Sequence, residues 1–443
     1  MEVILASSSV DSGIGCWDLH TGSELLRYKS CSSPSHGLVS IGSRFIASSQ
    51  IRDPSASSGS LLYWSWNKPQ VEVKNFPAEP IKPIAANQSG TYIAAGGAYS
   101  GDIYFWEVDT GRLLKKWRAH YRPVTCLIFN EDESLLITGS EDGCVRVWDL
   151  FMIFDELRSQ EAGNLYMHSF SEHTLRVTDV AIGNGGASAI IVSASEDWTC
   201  KVWSLATGAL LRNIVFPEVV IDNIVLDPAE HVFYAGGRNG KIYIAALNTE
   251  SIPTNNYGKH ILGSFSNQSK AVTCLAYGTT GDLLISGAED GIVRVWDLRT
   301  RNIVRVFKHA KGPINNIIVV RRELDSSNQM SFNAQTNSRK HGSSLPPPLE
   351  KYPTGSEPSD TVLVSLGGGG RHEDVKYVSH DVLMNSLKEL QNQGSTAASE
   401  MEMEKLKHDS QRSIQMVNQW KKMYENLHEF CVKELFDGSK QQT

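Results

Sequence analysis

The stretch "GSEDGCVRVWDL" (139–150) returns as "GAEDGIVRVWDL" (287–298), and the two copies differ at only two positions. Within each copy apolar and polar residues alternate, with Val and Trp in the apolar places, which is the pattern of a β-strand. The Asp-Gly ahead of the strand suits a tight turn in which Gly takes a positive φ. Working outward, the same text recurs in degenerate form as "GIGCWDL" (13–19), "LLYWSW" (61–66), "DIYFWEV" (102–108), "TCKVWSL" (199–205) and "KIYIAAL" (241–247). Most copies lead into a turn such as "TG" and another short strand, as in "DTGRLLKKW", "ATGALLRNI" and "HTGSELLRY". Ahead of each runs an apolar stretch ending in small residues, as in "SLLITGS", "AIIVSAS" and "DLLISGA". Four short strands per unit, at a spacing of roughly 40 to 55 residues, predict a β-propeller.

Seven units predict an all-β, seven-bladed ring over residues 1–370. The last unit holds one strand in "GPINNIIVV" (312–320) and a candidate in "TVLVSL" (361–366), and the N-terminal "GIGCWDLHTGSELLRY" supplies the others. Pairing the chain start with the chain end removes exposed sheet edges. The strand "EVILAS" (2–7) competes with 361–366 for one place in that closing blade.

The bulk composition fits this reading. An apolar fraction of 41% and a charged fraction of 21% are those of a chain that buries a core. The net charge of −7 gives no sign of a surface that coats nucleic acid, though local RNA contact stays open. Seven cysteines form no C-x-x-C, and several sit in strand-like runs such as "VTCLIF" and "VTCLAY". They read as small buried hydrophobes in a reducing compartment, with neither disulfides nor a zinc site. The start "MEVILASSSVDSG" lacks the basic region of a signal peptide, and no apolar run is long enough to span a membrane. The expectation is a soluble intracellular protein without membrane contact. A basic nuclear-import cluster is missing.

These units resemble the WD-repeat family. Its structural tetrad of His, Ser/Thr, Asp and Trp maps onto His120, Thr138, Asp142 and Trp148, and again onto His173, Ser193, Asp197 and Trp203. In the unit ending at 298, Ser286, Asp290 and Trp296 match, but Gln268 stands where His is expected. Chemically, Asp, His and the hydroxyl link a tight turn to the preceding loop and hand a hydrogen bond to the buried indole N–H. An Asp–His–Ser set also invites a catalytic triad. Against that, the set recurs, each copy carries a Trp, and no G-x-S-x-G elbow is present. "SLGGGGRHED" (365–374) lacks the G-K-[ST] ending of a phosphate loop, and no His falls at metal-site spacing. We expect no enzyme, no cofactor and no metal.

Three segments break the repeat. Residues 150–170 read as a helical insertion carrying Phe151, Ile153, Phe154 and Leu157, either capping the rim or docking a partner. Residues 323–360, rich in Ser, Asn and Pro, read as a flexible loop, in which "SLPPPLEKYP" is a spacer or a polyproline ligand. From 376 to 437 helix formers dominate, and Val417, Trp420, Tyr424, Leu427 and Cys431 fall at alternating 3–4 spacing. Such a coiled-coil-like stripe must pack on the propeller, on a second copy or on another chain. A homodimer through this tail is one of those outcomes, with Trp420 the expected anchor.

The resemblance narrows further on "RAHYRPVTCLIF" and "LDPAEHVFYAGGRNGKIY". These, with the N-terminal repeat and the helical tail, resemble the WD-repeat subunits of the Rix-type ribosome-assembly complex, in their plant form. That resemblance implies a non-catalytic scaffold in late maturation of the large ribosomal subunit and its rRNA. It also implies a helical-repeat scaffold partner, a Midasin-type AAA ATPase, pre-ribosomal particles, and a location in nucleolus and nucleoplasm. A ubiquitin-ligase substrate receptor and a chromatin or DNA-replication factor are the alternatives. In this repeat, the residue before the turn Asp and those just after the His lie on the narrow face. Glu141, Glu196, Glu289, Tyr121, Arg122, Arg176 and Trp198 are therefore the expected partner-binding residues, together with the tail stripe. Trp198 is the least expected of them, because neighbouring units have Gly there.

Overall fold

The alternating stretches form 28 short strands among the described residues, arranged as seven antiparallel four-stranded sheets. The computed structural model describes residues 1–352 apart from 11, 52–58, 156–164, 218, 248–259, 267–269, 280, 310–311 and 323–344. Blades 1 to 6 span 38–75, 81–118, 124–170, 177–215, 221–265 and 272–308, each with its strands in chain order from the innermost outward. Blade 7 takes its innermost strand, Ile314–Arg321, from the end of the repeats. Its other three, Glu2–Ser8, Ile14–Asp18 and Glu24–Tyr28, come from the beginning of the chain. The fold is thus an all-β, seven-bladed propeller closed by N- and C-terminal strands. The place contested in the sequence belongs to Glu2–Ser8. The candidate strand 361–366, Gln268 and the helical tail at 376–437 lie outside the described residues.

Second strands such as Ile191's, in Ile190–Ser195, are buried almost throughout, whereas outermost strands such as Leu210–Val215 and Ile303–Lys308 expose alternate residues. That difference follows from the period-2 side-chain alternation of a strand with one covered face. The cores lie between blades. Ile103, Phe105 and Trp117 of blade 2 pack with Val124, Leu136 and Trp148 of blade 3. Val192, Val202 and Ile214 of blade 4 pack with Ile221, Phe233 and Tyr243 of blade 5. A blade of this kind has no core of its own, so its stability depends on both neighbours.

Two expectations about the interruptions are corrected. The segment 150–170 holds one helical turn, Leu150–Phe154, with Leu150 and Ile153 buried against blades 2 and 3. Asp149 caps it by accepting from Phe151 N at 2.9 Å. The equivalent Asp18 and Asp297 instead accept from turn amides two residues on, at 2.9 and 2.8 Å. Tyr166–Phe170 is no part of a helix but the outermost strand of blade 3, as its period-2 burial requires. Leu157 lies outside the described residues. The second correction concerns 323–360, where residues 345–352 are placed, and Leu349 is buried in the core between blades 1 and 2.

Closure by Glu2–Ser8 gives a direct test. Leu5 is fully buried and packs in the cluster shared with blade 1. Leu5→Ala should cost about 2–5 kcal/mol, read as a lowered midpoint in urea unfolding followed by circular dichroism. An unchanged midpoint would mean that the ring does not depend on this strand.

Candidate functional site

The two complete tetrads have one geometry. In blade 3, His120 Nδ1 donates to Asp142 Oδ2 at 3.1 Å, and His120 Nε2 meets Thr138 Oγ1 at 2.8 Å. Trp148 Nε1 donates to the same hydroxyl at 2.9 Å. In blade 4 the corresponding contacts are His173–Asp197 at 2.9 Å, His173–Ser193 at 2.8 Å and Trp203–Ser193 at 2.9 Å. The carboxylate fixes the tautomer: Nδ1 carries the proton, so Nε2 accepts the Thr or Ser O–H, whose oxygen accepts the indole N–H. Each hydroxyl is buried with its proton and lone pair engaged, which is the arrangement of a structural link and not of a nucleophile.

Electrostatics support this assignment. Burial holds the His120 imidazole below its usual range against the pull of Asp142, so it is neutral in the fold. Burial alone would raise the Asp142 carboxyl, but hydrogen bonds from His120 and from the backbone of Cys144 and Tyr121 outweigh it and hold it at about 2. Asp197 is likewise held low: burial opposes ionisation, and hydrogen bonds from His173 and Thr199 overcome it.

Blade 6 keeps only part of this set. Trp296 Nε1 donates to Ser286 Oγ at 2.8 Å, while Asp290 is held by Arg294 Nη2 at 2.6 Å. The matching Arg146 in blade 3 turns instead to the carbonyl of Ala119. Sequence reasoning missed His309, which occupies the His place before blade 7 in "KHAKGPI". It contacts Ser12 Oγ at 3.3 Å and Arg27 Nη1 at 3.4 Å, and burial followed by the Arg27 charge lowers it to about 4.

The expected partner residues fall on the end of the ring that carries the second-to-third-strand turns. Tyr121 is 78% exposed and Trp198 46% exposed, with Arg122 and Glu289 also exposed. Arg176 Nε and Arg238 Nη2 both approach Glu196 Oε1, at 3.6 and 2.8 Å, and Arg238 Nε continues to Asp222 at 3.0 Å. Lys82 lies 3.9 Å from Glu141. The structure therefore brings Arg176, Glu196 and Trp198 together on blade 4, with Tyr121, Arg122 and Glu141 on adjacent blade 3. Glu289 stands apart on blade 6, and Val417, Trp420, Tyr424 and Leu427 lie outside the described residues. Arg238 was overlooked although its signal is legible: "GRNG" (237–240) puts Arg where the turns of blades 3, 4 and 6 have Glu, in "SEDG", "SEDW" and "AEDG". Exposed pairs of this kind contribute little stability but fix the layout of charge.

Trp198 has backbone φ +66°, in the place where Gly143 and Gly291 have +78° and +75°. A bulky side chain in the left-handed region is disfavoured. Among the described residues no group of three or more His, Cys, Asp or Glu could hold a metal ion. A cavity of about 400 Å³ opens along the inner strands of blades 3 to 5. There His36 Nε2 stands 3.7 Å from Asp179 Oδ1, and Asp179 also accepts from Ile224 N at 2.9 Å. That carboxylate ties blade 4 to blade 5.

Together the blades and tetrads define a WD-repeat β-propeller. The family model "WD domain, G-beta repeat" matches residues 111–149, 165–204 and 259–297. The chain belongs to the WD-repeat family that includes "Protein ROOT INITIATION DEFECTIVE 3" of Arabidopsis thaliana, to which it is 51% identical over 98% of both chains. It is 32% identical to "WD repeat-containing protein 18" of Bos taurus, over 72% of this chain and 73% of that one. It is 27% identical to "Pre-rRNA-processing protein crb3/ipi3" of Schizosaccharomyces pombe, over 71% and 77%. Among solved structures, the computationally designed Ika8 protein has the same fold, with a TM-score of 0.51, 24% identity, and coverage of 70% of this chain and 85% of that one.

A neutral His120 in the fold makes stability fall as pH drops below about 6.5, and Asp142 adds a second loss below about 3.9. His120→Gln should lower stability at pH 7 by about 1–3 kcal/mol and reduce the slope between pH 7 and 5, measured by urea titration at each pH. An undiminished slope would assign the pH dependence to other groups. Trp198→Gly should raise stability by up to about 1 kcal/mol, seen as a higher Tm; a lower Tm would show that the indole contributes packing.

Proposed function

We propose that this chain is a non-catalytic interaction subunit in pre-rRNA processing and assembly of the large ribosomal subunit, working in the nucleolus and nucleoplasm. The observation that carries this reading is the sustained likeness, over 71% of this chain, to a relative named for pre-rRNA processing. The tetrads support it by committing their hydroxyls and imidazoles to structure, which leaves surfaces as the means of action. In this reading the narrow face of blades 3 and 4 and the stripe at Val417, Trp420, Tyr424 and Leu427 hold partners. Those partners are a helical-repeat Rix-type scaffold, a second copy of this chain, pre-ribosomal particles, and a Midasin-type AAA ATPase that the complex recruits. Exposed aromatic residues such as Tyr121, which has Arg146 over its ring, and Trp198 suit the anchoring part of such an interface.

The test is purification of the tagged protein from cells together with depletion. Large-subunit precursors should co-purify, and depletion should delay large-subunit rRNA processing. Recovery of cullin adaptors or replication factors in their place, with rRNA processing intact, would overturn the reading. Replacing Trp198 and Glu196 together should reduce partner recovery while circular dichroism stays unchanged. Deleting 376–443 should leave a folded, monomeric propeller that has lost its scaffold partner; an unfolded product would place the tail in the core.

A further inference from the structure

Blade 1 ends in an outermost strand of only three residues, Val73–Asn75, and so leaves the outer part of its cleft with blade 2 uncovered. The chain's own residues 345–351 fill that cleft, and they do so by contacts that recognise an extended peptide. Glu350 N donates to Gly111 O at 2.8 Å, and Trp106 Nε1 donates to Glu350 O at 2.8 Å. The Glu350 carboxylate accepts from Leu113 N at 3.2 Å, and Leu349 N donates to Asn75 Oδ1 at 2.9 Å. Leu349 is the apolar anchor, buried with Tyr63, Trp106 and Leu113. Backbone bonds with one anchored side chain are how a cleft binds an extended segment irrespective of which chain supplies it. Gly111 permits the approach, since a Cβ there would stand 2.6 Å from Pro348 O.

Two observations set this segment apart from ordinary core. In blades 3, 4 and 6 the indole N–H is taken by a hydroxyl ten residues earlier in the same blade. The residue ten before Trp106 is Gly96, so its donor relies on a carbonyl that reaches the blade only through residues 323–344. The fit is also incomplete. Asn75 Nδ2 and Tyr63 OH are buried with no hydrogen-bond partner among the described residues, although Asn75 Oδ1 is engaged. An Asn amide that accepts from a peptide N–H can donate to a peptide carbonyl as well, and the resident segment leaves that second bond unmade.

We propose that the cleft between blades 1 and 2 is a peptide-binding groove in which residues 346–350 are an exchangeable resident ligand. A partner protein's extended segment of the same chemistry, prolines followed by an aliphatic residue and a carboxylate, takes the groove by displacing it. The tethered segment competes at an effective concentration on the order of millimolar for short linkers, so a free peptide binds the intact protein weakly.

The experiment uses the full chain and a fluorescent peptide of sequence SSLPPPLEKYP, which is residues 343–353, read by anisotropy. Leu349→Arg in the protein should expel the resident segment and tighten peptide binding at least tenfold over wild type. The same replacement in the peptide should abolish binding. Equal binding to both proteins, or none to a folded variant, overturns the proposal. If Leu349→Arg does not fold, hydrogen exchange of the wild-type protein decides. Exchange of the Leu349 and Glu350 amides through a local opening, well before those of Tyr92–Gly97, supports an exchangeable segment. Exchange only with global unfolding makes the segment core and overturns it.

Discussion

Seven residue pairs between Glu2–Ser8 and Ile314–Arg321 hold the ring shut, and the other blades depend on them. The Met1 amino group extends the ladder by donating to Arg322 O at 2.9 Å. The closing strand serves both neighbours at once. Val3 and Leu5 pack with Leu38, Ile46 and Trp64 of blade 1, whereas Ile4 and Ala6 pack with Ile285, Val293 and Val295 of blade 6. Because every core in this fold is a seam between blades, opening one joint exposes apolar surface on two blades and removes a neighbour from each. The pairing joins residues about as far apart in sequence as the repeats allow, a contact whose loop-closure entropy makes it slow to form.

Within that frame, the buried indole N–H is a recurring problem with more than one solution. Trp148, Trp203 and Trp296 use a hydroxyl of their own blade. Trp64 and Trp106 use backbone carbonyls from outside theirs, Lys29 and Glu350. The local solution was legible in the sequence because donor and acceptor keep a fixed spacing along one hairpin. The remote solutions were not, because nothing in "LLYWSW" or "DIYFWEV" says which distant carbonyl arrives. The same distinction separates the other expectations. Blade count and closure could be read from alternation and turn residues, which act within a few positions. The docking of residues 345–352 could not, because a proline-rich run has the same composition whether it is free or seated in a cleft.

Residues 150–170 show how a correct local reading can be extended too far. Asp149 begins a helix as its sequence suggests, with Leu150 and Ile153 turned inward. By Tyr166 the burial has changed to alternation, with Met167 and Ser169 exposed between partly buried Tyr166 and His168. The helix is an elaboration of the turn that joins the third and fourth strands of the blade, and the fourth strand had to follow because the sheet needs it. The overlooked Arg238 is the opposite case. It holds a place that is Glu in three other blades and joins Glu196 to Asp222 across the seam between blades 4 and 5. Single substitutions in an otherwise repeated turn therefore set one blade's surface apart from the others.

Trp198 carries that argument furthest. A turn that takes Gly at +78° in blade 3 and +75° in blade 6 holds an indole at +66° in blade 4. Relative to Gly, whose backbone entropy offsets part of it, strain of this kind costs about 1 kcal/mol, and it persists where the surroundings over-determine it. The surroundings do hold the backbone here: Asp197 Oδ1 accepts from Thr199 N at 3.0 Å, and Trp198 O accepts from Phe216 N at 2.8 Å. The side chain itself stays half exposed, and two residues earlier in the same turn Glu196 pairs with Arg176 and Arg238. An exposed indole at a strained position adds little to the fold that Gly would not supply at lower cost. A rigid, half-exposed apolar surface held at such a turn has the chemistry that an interface anchor requires.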